Sequence, residues 1–160
     1  MIYSHEALRH SLATLAYRAS KAVRGAPASF AGFETPGGAR TPVQILAHMG
    51  DLMDWGLSLS QGKSVWHDST PLPWDDEVAR FFATVTAWDA FLATGAPLGR
   101  PDERMFQGAI ADALNHVGQI NLLRRQAGVP VRGENYHQAA IAVGRTGFEQ
   151  TPPDSRNEFD

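Results

Sequence analysis

Four times within the first 130 residues, apolar side chains recur at helical spacing for some twenty positions and then halt at a glycine: Gly25, Gly62, Gly95 and Gly128. A proline follows within two positions at three of these stops, as Pro27, Pro97 and Pro130. Glycine ends helices by accepting a left-handed backbone, and proline cannot continue one. The spacing predicts a first helix from about Ser4 to Arg24, with Ser4 as cap and Leu8, Leu12, Leu15 and Ala19 facing inward. A second starts at Thr41-Pro42-Val43-Gln44, which joins a capping threonine, a first-turn proline and a glutamine placed to close a capping box. It runs to about Ser60, with Ile45, Met49, Leu52, Met53 and Gly56 on its apolar face. A third begins near Pro73 with Asp75, Asp76 and Glu77 at its positive end, and buries Val78, Phe81, Phe82, Val85, Trp88 and Leu92. A fourth runs from Pro101 to about Ala127 on the stripe Phe106, Ile110, Ala113, Val117 and Ile120.

No stretch reads as strand, so the expected class is all-α, a four-helix bundle. The links 25–41 and 62–73 are long and rich in Gly, Pro and Ser, long enough to let a helix cross the bundle. Residues 1–150 read as one domain, with one short helix from Tyr136 to Val143, and 151–160 (TPPDSRNEFD) as a flexible C-terminal tail.

Composition removes several kinds of function. A net charge of −3 offers no basic field, so nucleic acid is not an expected partner. No apolar run reaches the ~18 residues of a membrane span. With no cysteine there is no disulfide, thiolate ligand or cysteine nucleophile, which agrees with a reducing cytoplasm. Dinucleotide, P-loop and serine-hydrolase motifs are missing. Homodimerisation through an apolar face is an expectation common to bundles.

The chemistry points to DALNHVGQI, residues 112–120. Set out at 100° per residue, the fourth helix has an apolar arc from Met105 through Ile120 and Phe106 to Ile110. His116 falls inside it; Asp112 falls just past its edge, beside Gln119. An aspartate so near a core is costly without a partner, and a cation is one partner. His48 lies at the margin of the second helix's apolar face. Facing helices can therefore bring His48, Asp112 and His116 together as a metal set with open positions for water or substrate. The plainer reading is a surface Asp–His pair with a half-buried histidine nearby. Gln119 is placed to orient a ligand from behind. His5, His10, His67 and His137 lack partners by spacing and are expected at the surface, although a returning tail can bring Tyr136 and His137 over the site. Arg124 and Arg125 suit their helix's negative end, Arg145 can contact an anionic ligand, and Trp66 and Trp74 bracket a loop as a pocket rim.

TPVQILAHMGDLMDW and ADALNHVGQINLLRRQAG resemble the DinB/YfiT-like superfamily of metal-dependent enzymes, over residues 4–128. The resemblance implies a four-helix bundle with a divalent ion, often zinc or nickel, held by three histidines: one from the second helix and a His-x-x-x-His pair from the fourth. Carried over, the ligands are His48, Asp112 and His116, with an aspartate where the family has a histidine. That harder, anionic ligand shifts preference towards zinc, iron or manganese, or marks a member that has lost its metal. The implied activity is that of a thiol-dependent transferase, or of a hydrolase or isomerase of small molecules, with a low-molecular-weight thiol or water at the open position. The alternative is a non-catalytic bundle that binds a small molecule or a protein.

Overall fold

The structure is a computed structural model that describes Met1 and residues 3–160. Its helices are α1 (Glu6–Val23), α2 (Pro42–Ser60), α3 (Trp74–Ala93), α4 (Asp102–Met105) and α5 (Ala111–Gln126). A π-helical turn, Phe106–Ile110, joins α4 to α5, so those three segments form one fourth rod. The four expected helices are thus present, and the class is all-α but for two very short strands, β1 (Gly133–Glu134) and β2 (Glu158–Phe159).

Around the bundle, α1 and α2 lie diagonally, each packed on α3 and on the fourth rod. Contacts between named side chains fix the directions. Arg80 reaches Ala47 and Asp51, while Trp88 reaches Ser60, so α2 and α3 run the same way. They pack tightly at Gly56, where a Cβ would come within 2.4 Å of the Trp88 ring. His48 faces Asp112 while Ser60 meets Met105, so α2 and the fourth rod are antiparallel. Parallel neighbours need a connection that travels back along the bundle. A 19-residue helix is about 28 Å long, which a thirteen-residue extended link can span with its reach of about 40 Å. That is why the 61–73 link is long, and it passes along the outside of α2.

Leu8, Leu12, Leu15 and Ala19, and Ile45, Met49, Leu52 and Met53, are all buried, as are Phe81, Phe82, Val85, Trp88 and Leu92. Gln44 Oε1 accepts from the Thr41 N–H at 2.9 Å, completing the capping box. At α1 the cap position is His5 rather than Ser4. His5 is also buried, not at the surface, with Nε2 2.8 Å from the Ala96 carbonyl oxygen.

The fourth rod departs from a uniform 100° helix. Phe106, expected in the core, is 44% exposed, whereas Met105 and Ala109 are buried. A π turn takes one residue more than an α turn, so the apolar stripe before it is out of phase with the stripe after it. Phases are regular again from Ala111, which leaves Asp112 and His116 one α turn apart.

The C-terminus also differs from expectation. Tyr136–Val143 holds only a short 3₁₀ turn, Tyr136–Gln138. The last residues are not a free tail: β2 pairs antiparallel with β1, with Glu158 opposite Glu134. Lys21 Nζ bonds both carboxylates at 2.9 Å, and the Tyr17 hydroxyl donates to Glu134 Oε1 at 2.6 Å. Arg124 does more than suit its own helix end. It donates to the carbonyls of Val129, Ala22 and Arg24, tying the ends of α5 and α1 together.

Candidate metal centre

His48 and Asp51 sit one turn apart on α2, on the side that meets the 61–73 link, and each anchors a polar cluster. Asp51, 3% exposed, accepts from the backbone N–H and hydroxyl of Ser69 at 2.9 and 2.7 Å, and from Arg80 at 3.1 Å. Arg80 also donates to Glu77, which is fully buried and accepts in turn from the Leu72 N–H at 2.9 Å. Glu77 is therefore more than a helix-dipole residue. These bonds hold the 61–73 link against α2 and α3. The link then places Trp66 edge-on to His48, with ring centroids 5.6 Å apart, and against Trp55 at 6.1 Å. Trp66 thus rims the site, whereas Trp74 packs in the core on Phe30.

Across the α2–α5 seam, His48, Asp112 and His116 converge, each with one donor atom within 4.8 Å of the others'. Asp112 Oδ2 is 3.7 Å from His48 Nε2, and Asp112 Oδ1 is 3.5 Å from His116 Nε2. The two imidazoles stand perpendicular with centroids 4.9 Å apart. These separations exceed a direct N–H···O bond of about 2.7–3.2 Å. They lie close to the roughly 3.3 Å that separates two donors bound at about 2.0–2.1 Å to one tetrahedral ion.

Polarity points the same way. His116 Nδ1 is 2.6 Å from Gln119 Oε1. Gln119 thereby holds the imidazole by one nitrogen and leaves Nε2 on the far side of the ring. On that far side Nε2 faces a carboxylate oxygen of Asp112 at 3.5 Å. Burial, more than the nearby positive charge of Arg40 and the neighbouring His116, holds the His48 pKa below its ordinary value, against the opposing pull of Asp112 and Asp51. His48 is therefore neutral near pH 7 and available as a ligand. No arginine or lysine meets Asp112 among the described residues. The three side chains form a group that could hold a divalent cation.

The site is open on one side. The Asp112 side chain is 46% exposed, against 18% for His48 and 10% for His116. A cavity of about 560 Å³ adjoins His116 and Gln119, and a smaller one of about 220 Å³ adjoins His48. Arg40 borders both.

All three sequence-predicted ligands are thus brought together, with Gln119 behind His116 as expected. Other candidates lie elsewhere. Tyr136 packs edge-on to Tyr17 and beneath the Arg18 guanidinium rather than over the site. Arg145 donates to Thr151 within its own loop. The sequence reading missed the Asp51–Glu77–Arg80 cluster and Arg40. An aspartate one turn past His48 was visible as a signal, but its partner arginine, on another helix, was not.

Comparison of the chain with known protein families, with curated proteins and with solved structures finds no match. No helix among the described residues is long and apolar enough to cross a membrane.

Proposed function

We propose that this chain is a divalent-metal-dependent enzyme of the DinB-like superfamily, acting on a small molecule as a thiol-dependent transferase, hydrolase or isomerase. The observation that carries the reading is the meeting of His48, Asp112 and His116 from two helices, each with a possible ligand atom within 4.8 Å of the others'. Three protein ligands leave coordination positions for a reactant, the pattern of reactive rather than structural sites. A bound ion supplies Lewis acidity or lowers the pKa of a nucleophile. The chain's own residues do the rest. Gln119 fixes the tautomer and tilt of His116. Trp66 shields the His48 side, so a reactant enters past the exposed Asp112. Asp112 also sets the metal: a hard anionic oxygen beside two imidazoles favours zinc, iron or manganese over nickel. The rival reading, a non-catalytic bundle without metal, would be favoured by an arginine paired with Asp112, and no such pair is present among the described residues.

Elemental analysis of the purified protein tests this directly. About one divalent ion per chain is expected, and His116→Ala releases it. A wild-type chain with neither bound ion nor measurable affinity for zinc, iron or manganese ends the reading.

A further inference from the structure

Arg40 stands just before the capping threonine of α2 and borders both cavities of the metal site. It has no hydrogen-bond or ion-pair partner among the described residues, where Arg9, Arg80, Arg124 and Arg156 are all engaged. In the larger cavity Arg40 is the one permanently charged side chain. The cavity's wall is apolar at Ile45, Leu122 and Leu123, and polar at Thr35, His116, Gln119 and Gln126. Its volume of about 560 Å³ suits a small molecule. Leu122, 57% exposed, gives that wall an apolar surface open to a ligand.

We propose that the cavity beside His116 binds a small organic carboxylate with an apolar body, its carboxylate held by Arg40 and its chain lying on Ile45, Leu122 and Leu123. One guanidinium presents a planar fork that matches one carboxylate in two parallel bonds. A phosphate dianion calls for more donors than this wall supplies, and an amine would meet the arginine's like charge. Arg40 and His116 line the same cavity, so a ligand held by Arg40 shares that space with the metal set. That the bound molecule is a substrate rests on the metal-enzyme reading; that it binds does not.

The experiment separates the two. Hexanoate, hexan-1-ol and hexylamine are titrated calorimetrically into zinc-loaded and metal-free protein, with zinc affinity measured on the same samples. Hexanoate is expected to bind at least ~10-fold more tightly than the alcohol or the amine in both forms, one charge-assisted pair corresponding to about that factor. Arg40→Gln abolishes the preference while zinc affinity stays within a few-fold, and Arg40→Lys restores it in part. Leu122→Ser, at an exposed position, removes apolar contact and weakens all three probes. Arg100→Gln, at an exposed arginine bordering a different cavity, changes none of these values. Equal binding of hexanoate and hexanol, no binding of hexanoate, or an unchanged preference in Arg40→Gln overturns the proposal. Loss of zinc binding alone leaves the carboxylate preference readable and counts only against the metal reading.

Discussion

Two polar clusters share one face of α2, and they are finished to different degrees. Around Asp51, each carboxylate meets donors within ordinary hydrogen-bond distance, and Arg80 supplies the cation. Around Asp112, the ion-pair contacts are imidazole nitrogens at 3.5 and 3.7 Å, and no arginine or lysine joins them among the described residues. The closed cluster is the less exposed: Glu77 is fully buried and Asp51 nearly so, whereas the Asp112 side chain is 46% exposed. A buried carboxylate must be satisfied by the protein itself. One at a mouth can leave its partner to be supplied from solution. The first cluster is therefore scaffold and the second is receptive, although both begin from acids near the core.

Substitutions can break this contrast, and Arg80→Met should do so most severely. It strands Asp51 and Glu77 without a cation and should cost about 3–5 kcal/mol in urea unfolding. A loss below ~1 kcal/mol would mean that the Asp51 cluster is no more structural than the metal set.

Asp112→Asn is the mirror experiment. Its amide keeps a hydrogen-bonding group beside both imidazoles, so metal-free stability should change by less than about 1 kcal/mol. Zinc affinity should fall by more than ~100-fold, beyond the effect of an outer partner. Clear destabilisation of the metal-free protein would place Asp112 in the scaffold instead.

Gln119→Leu removes the bond that fixes His116. Zinc affinity should drop by about 10–100-fold, with metal-free unfolding shifted by under ~0.5 kcal/mol. Isothermal titration calorimetry reads the first and denaturation the second.

The smallest effect is on pH dependence. The His48 pKa is lowered in the folded chain from an ordinary value of 6.5. Between its folded midpoint and 6.5 the unfolded chain binds more protons, so His48 makes metal-free stability rise with pH across that window. NMR titration of metal-free protein should give a His48 midpoint below 6.5, moving upward in Arg40→Gln as a positive neighbour is removed. A midpoint at or above 6.5 would show that Asp112 and Asp51 outweigh burial.

Much of this molecule was legible in one dimension, and the reasons are local. Helix starts and stops depend on caps, prolines and left-handed glycines within a few residues, so the Thr41–Gln44 box and the ends at Gly25, Gly62, Gly95 and Gly128 could be read directly. Spacing of four placed Asp112 and His116 on one stripe, and three placed Gln119 behind His116, because α5 is regular there. Phe106 was misplaced because a π turn is a local shift of phase that the apolar pattern does not announce.

The sequence by itself determined four amphipathic rods, their ends, and which side chains on two of them could serve as ligands, since these follow from backbone preference and helical period. Only the tertiary structure decided that α2 and α3 run parallel. That direction sends the 61–73 link back along α2, seats Trp66 beside His48, and lets Arg80 on one helix close the acid of another. It also drew the last residues into a strand against Glu134 rather than leaving them free. Each of these joins positions far apart in the chain, where the free energy comes from burial and charge pairing between elements, and no periodicity records the partner.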